Sequence, residues 1–160
     1  MLDVSLPPGI LKNAFAAYVH YLSFMICFGA LVYERISLKI DPSREEAISM
    51  VIADIVYGVA GIALLVSGIY RVIKFGQGSE FYTHNPLFWT KMVTFGLIGS
   101  LSLYPTVTYI LWAIPLSKGE LPNVTINLVS RLRLIINIEL IGFSSIPFFA
   151  TLMARGVGLS

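Results

Sequence analysis

A histidine, a lysine, several arginines and three carboxylates lie in or at the ends of long apolar runs, and they are the residues that could do chemistry. An ionisable group at membrane depth is costly unless it is paired, so each is a functional candidate. They fall into two sets. His20, Arg71 and Lys91 lie towards one end of their runs, and Glu34, Arg35, Asp54, Arg133, Asn137 and Glu139 lie towards the other. Neutral imidazole is a common metal ligand and an ordinary haem axial ligand, so His20 could hold a haem iron. The same ring could instead hydrogen-bond a carbonyl at the membrane interface, or relay a proton. Arg71 and Lys91 could bind the carboxylates of an anionic ligand beside it, or extend to lipid headgroups. Glu34, Asp54, Arg133, Asn137 and Glu139 read as an intramembrane polar network, either a structural charge network or an ion path. A zinc site needs several His, Cys or carboxylate ligands, and no cluster at usable spacing is present. No nucleophile stands beside a base, and no phosphate-binding glycine loop or metalloprotease helix motif occurs, so hydrolytic chemistry has no support.

The elements that position these residues follow from composition. The 160 residues are 56% hydrophobic and 12% charged, with a mean hydropathy of +0.80. A soluble domain is nearer a quarter charged. A helix needs roughly 20 mostly apolar residues to cross a bilayer, and four segments qualify: Ala14–Tyr33, Ala47–Tyr70, Met92–Ser117 and Leu134–Ala154. The alternating ten-residue strands of a barrel are absent. The expectation is an all-α bundle of four transmembrane helices in one integral membrane domain over residues 1–160. The helices should cover about 9–37, 44–74, 86–115 and 125–154, with both termini on one side of the bilayer.

Local signals mark the ends. Pro7-Pro8 precede the first helix, which is read as retained rather than cleaved. Ser43 followed by Glu46 is a capping box, and Asn85-Pro86 is an N-cap with proline at the first helical position. Gly76 and Gly78 end the second helix. Pro105 and Pro147 fall inside the third and fourth helices. Ala63 with Ser67 and Gly96 with Ser100 are small-residue pairs that suit close helix contacts. Tyr70, Phe75, Phe81, Tyr82, Phe88 and Trp89 form an interfacial aromatic belt around the second loop. His20, Phe24, Cys27, Leu31 and Glu34 recur every three or four residues, so they share one face of the first helix, expected to face the bundle interior. A lone Cys27 allows no intrachain disulfide. Taking side A as the side of the termini, basic residues number five there and six on side B. Charge therefore sets no orientation. A net charge of +2 without a basic run gives no reason to expect nucleic acid; the partners expected are the lipid bilayer and, beyond it, membrane-complex subunits or a second copy.

The segment "ADIVYGVAGIALLVSGIYRVIKFGQGSEFYTHNPLFWTK", followed by "SLYPTVTYILW", resembles a family of small integral membrane proteins of cyanobacteria and plastids, the domain of unknown function 2214. Asp54, Tyr57, Gly68, Arg71, Asn85, Lys91, Pro105 and Trp112 are among the residues that carry it. That resemblance implies a thylakoid or plasma membrane of a cyanobacterium, or a plastid membrane. His20, the run Phe28 to Tyr33, Lys91, and Arg133 with Asn137 and Glu139 are more distantly similar to the four-helix protoporphyrinogen oxidases of HemJ type. The likeness implies haem b near His20. It departs at Cys27 and Ser102, where those enzymes carry tryptophan and histidine. The functional expectation is thus a redox membrane protein binding haem or another tetrapyrrole at His20, and if an enzyme, a membrane oxidoreductase. The alternatives are a non-enzymatic accessory or assembly subunit of a photosynthetic membrane complex, and a small ion or proton transporter.

Overall fold

The computed structural model describes residues 9–75 and 79–158. Among these the chain is helical: α1 Ile10–Ser37, α2 Arg44–Lys74, a short α3 Ser79–Thr83, α4 Pro86–Ser117 and α5 Ile126–Ala154. The four long helices, of 28 to 32 residues, are all long and apolar enough to cross a membrane. At 1.5 Å per residue each spans more than about 40 Å, so their ends project past a hydrocarbon core about 30 Å thick. The protein is an integral, multi-pass membrane protein.

Three of the long helices, α2, α4 and α5, start where a side chain satisfies their first amides, whereas α1 starts at Gly9 (φ +108°) without a side-chain cap. Ser43 Oγ accepts from Glu46 N at 3.3 Å, and Glu46 Oε2 accepts from Ser43 N at 2.7 Å, completing the capping box. Asn85 Oδ1 accepts from Leu87 N at 2.9 Å at the head of α4, and Thr125 Oγ1 accepts from Leu128 N at the head of α5. At the opposite ends, side-B arginines add donors to carbonyls at or just beyond helix C-termini. Arg133 Nη2 donates to Leu38 O at 2.8 Å beyond α1, and Arg44 Nη2 donates to Leu116 O in the last turn of α4. The fourth element continues through Pro115 to Ser117, and the Pro115 carbonyl accepts from Lys118 N and Glu120 N. The α3 turn was not expected from sequence. Pro7, Pro8, Gly76 and Gly78 lie outside the described residues.

The helices form a square. α1 packs along α2 and α4 along α5; the two hairpins meet through α2–α4 and α1–α5, and α1 and α4 stand diagonally opposite. Buried Asn85 also donates through Nδ2 to Val157 O at 3.2 Å, which holds the C-terminal tail against the second loop on side A. Gly158 lies over Asn85 with φ +86°, and a Cβ there would come within 2.9 Å of Asn85 Oδ1.

The core follows one stripe on each helix. On α5 it is Val129, Leu132, Ile136, Glu139 and Phe143; on α2 it includes Met50, Asp54, Tyr57, Ala60, Leu64 and Ser67. The stripe expected on α1 does face inward: Cys27, Leu31 and Glu34 are buried, and His20 and Phe24 are half-buried. The small-residue reading needs one correction. Gly96 and Ser100 face outward, with open space at Gly96, so they mark no helix contact. The close approach of α4 and α5 occurs at Gly142, where a Cβ would fall 2.7 Å from Ile98 Cδ1.

Candidate functional site

Depth along the helices separates two polar loci. His20 and Glu34 share a face of α1 but stand fourteen residues apart, about 21 Å along the axis.

On side A, His20 is held by α2. Its Nδ1 lies 3.1 Å from Leu64 O and 3.0 Å from Ser67 Oγ. A carbonyl oxygen only accepts, so Nδ1 carries the proton and donates to Leu64 O. Ser67 Oγ gives its own proton to Ala63 O at 2.6 Å and so accepts from the same N–H. This assigns the tautomer: a neutral ring has its lone pair on Nε2. Room for the ring comes from Gly68, since a Cβ there would sit 3.0 Å from His20 Cε1. Ala63 and Ser67 thus do mark a close α1–α2 contact, one that places an imidazole.

Arg71, one turn beyond Ser67, sets its guanidinium 5.1 Å from the centre of the Tyr21 ring. Lys91, in the second turn of α4, places Nζ 5.4 Å from the centre of the Phe88 ring. Both charges are electrostatic neighbours of His20, and of each other. The surrounding aromatics form two groups: Tyr70 meets Phe75, and Phe81, Tyr82, Phe88 and Trp89 follow one another, all at ring separations of 5.3 to 5.7 Å. Trp89 Nε1 donates to Thr83 O. His20, Arg71 and Lys91 therefore lie within electrostatic reach of one another. Two surface grooves, one between α1 and α2 that includes the His20 partner Ser67 and one along α4 by Trp112, are lined by none of these three.

The side-B set is divided. Glu34, Asp54 and Glu139 are buried and lie in one another's field. Arg133 and Asn137 sit on the other face of α5, exposed. Asn137 Oδ1 accepts from Arg35 Nε at 2.6 Å, and Arg133 is engaged with Leu38. The helical register explains the split, because Arg133 and Asn137 are four apart while Glu139 is on the buried stripe with Ile136 and Phe143. Two residues that sequence reasoning passed over complete the inner group. Thr106 Oγ1 donates to Asp54 Oδ1 at 2.8 Å. Tyr109 is fully buried, with the three carboxyls as its electrostatic neighbours. The signal for Tyr109 was the buried stripe of α4, Ile98, Pro105, Tyr109, Trp112 and Leu116, at spacings of seven, four, three and four; half-buried Thr106 lies off it.

A family profile described as "Predicted membrane protein (DUF2214)" matches residues 12–158, nearly the whole chain. The chain belongs to the DUF2214 family. Its matched span takes in both polar loci and all four membrane helices of this DUF2214 protein. No curated protein and no solved structure matches the chain.

Proposed function

We propose that this DUF2214 protein is a small redox membrane protein that binds haem b, or a related tetrapyrrole, through Nε2 of His20. The observation that carries this reading is the donation from His20 Nδ1 to the Leu64 carbonyl. A metal-ligating histidine usually donates its other ring N–H to a carbonyl or carboxylate, which fixes the ring and raises its basicity. The donor set favours such a group over a bare metal ion. Among the described residues no set of three or more His, Cys, Asp or Glu is arranged to hold a bare metal ion. A haem brings its own four nitrogens and needs only one imidazole from the chain. Arg71 and Lys91, in electrostatic reach of His20, would receive the acidic edge of such a ligand by charge-assisted hydrogen bonds. When bound, the group would exchange one electron reversibly between ferric and ferrous iron. The likeness to HemJ-type oxidases supports the reading through His20 and Lys91. The setting proposed with it is a cyanobacterial thylakoid or plasma membrane, or a plastid membrane.

The test is a reduced-minus-oxidised visible spectrum of the detergent-purified protein after expression with ample haem precursor. The expected result is a haem spectrum lost in His20→Ala and weakened in the Arg71→Ala, Lys91→Ala double variant. Folded protein without any tetrapyrrole absorbance would overturn the reading. If that protein instead migrated only within a larger complex in native electrophoresis, the accessory-subunit function would replace it.

A further inference from the structure

The second polar locus is not used by a ligand at His20. Glu34, Asp54 and Glu139 come from α1, α2 and α5 and are 1%, 6% and 0% exposed. Asp54 has Thr106 as a partner, but Glu34 Oε1 and both carboxyl oxygens of Glu139 have no partner among the described residues. Independently of these acids, α4 aims a fully buried phenol into the group. Tyr109 is 0% exposed, its hydroxyl has no partner among the described residues, and all three carboxyls act on it. Each of the four membrane helices therefore contributes a polar group to one buried space.

Among the described residues no ion pair or hydrogen bond joins a cation to this space. The nearby cations are engaged elsewhere: Arg35 with Asn137, Arg133 with Leu38 O, Arg44 with Leu116 O and Lys39 with Glu46. The other titratable group facing the acids is Tyr57 on α2, with the Cys27 thiol of α1 beside it, and neither carries a positive charge. Three ionised carboxylates cannot share a desolvated site without a counter-charge. The carboxyls are not arranged to ligate a metal ion among the described residues. What remains is the proton.

The acids are also staggered in depth. Glu34 is three residues from the side-B end of α1, about 5 Å, whereas Glu139 lies near the middle of α5. One turn further towards side A, buried Phe143 packs against Phe24 at 5.6 Å and Tyr57 at 6.2 Å. His20 is beyond that aromatic layer.

We propose that Glu34, Asp54, Glu139 and Tyr109 form an intramembrane proton-binding site, loaded from side B and closed towards side A by Phe24, Tyr57 and Phe143. A proton arriving from side-B water forms an O–H bond with a carboxylate and cancels its charge. Release breaks that bond and returns the proton to the same side. Thr106 and Tyr109 are the hydroxyls positioned to exchange hydrogen bonds with the acids as the proton moves. The site stands whether or not His20 holds a tetrapyrrole.

The experiment uses the full chain in liposomes. Dicyclohexylcarbodiimide reacts with protonated carboxyls in apolar surroundings, and the adduct is mapped by mass spectrometry at neutral and alkaline pH. The expected result is an adduct on Glu139 that falls as pH rises and disappears in Glu139→Gln. Infrared spectra of protein carrying isotope-labelled aspartate and glutamate should show a protonated-carboxyl band. Because the second measurement is made on the unsubstituted chain, it decides the matter even where Glu139→Gln fails to fold. No adduct on any of the three acids and no protonated band would overturn the proposal. Proton leak through liposomes should match protein-free vesicles and rise several-fold in Phe143→Ala; a leak already present in the unsubstituted chain would overturn the closure towards side A.

Discussion

Gly68→Ala is the substitution that tests the His20 anchor most directly. The new methyl would stand 3.0 Å from His20 Cε1 and 3.5 Å from Nδ1. Ordinary contact for a Cβ begins near 3.4 Å, so the imidazole must give way by about 0.4 Å. It cannot do so while keeping both acceptors, because Leu64 O and Ser67 Oγ already stand at 3.1 and 3.0 Å. Loss of the shared hydrogen bond removes about 0.5–1.5 kcal/mol. Replacing a mid-helix glycine by alanine returns roughly 0.5–1 kcal/mol. The two nearly cancel, so the expected change in stability is within about 1 kcal/mol of zero. The local change is not small: Nδ1–H loses its carbonyl and the tautomer is no longer held. Gly61→Ala is the control, since open space surrounds that position; it should stabilise by about 0.5–1 kcal/mol and leave His20 untouched. The assay pairs unfolding in mixed detergent with nitrogen NMR of the histidine ring. A Gly68→Ala protein whose Nδ1 and Nε2 signals matched the unsubstituted protein would refute the anchoring argument, as would a response identical to that of Gly61→Ala.

Three further outcomes follow from the packing. Gly142→Ala should destabilise by about 1 kcal/mol, because overpacking against buried Ile98 (about 1–3 kcal/mol) outweighs the helix gain; unfolding titrations check it, and relief by Ile98→Val in a double-mutant cycle would locate the strain. Asn85→Ala should lower stability by about 1–2 kcal/mol through loss of the α4 cap and of the Val157 tether, with faster proteolysis of the C-terminal tail as a second readout. Thr106→Val keeps the volume and removes the donor to Asp54. It should destabilise by about 0.5–1.5 kcal/mol and shift the Asp54 carboxyl band in infrared spectra, and an unmoved band would show that the 2.8 Å contact carries no hydrogen bond.

Much of the fold was legible in the chain because a bilayer leaves few solutions. Backbone amides without water must be satisfied within helices, so apolar runs of sufficient length become spans irrespective of their neighbours. Caps are equally local, which is why the Ser43–Glu46 box and the Asn85 cap stand where the residues indicated. The α1 stripe from His20 to Glu34 could be read from a period of 3.6, and so could its division between two depths.

Pairing between helices was not legible, because it depends on rotation of each helix about its own axis and on which surfaces fit. Charge alone grouped Asp54, Arg133 and Glu139 into one network. Tertiary packing turned Arg133 and Asn137 outward to the α1 terminus and Arg35, and turned Glu139 inward without a cation. Gly96–Ser100 carried the same small-residue pattern as Ala63–Ser67, yet only the latter faces a helix. A single glycine, Gly68, admits the His20 ring, and Ser67 with the Leu64 carbonyl assigns its proton; the sequence contains all three residues but does not say that they meet. Hydrophobicity and local hydrogen bonding thus determined the four spans and their ends. Only the fit of one helix against another decided which polar groups share a site.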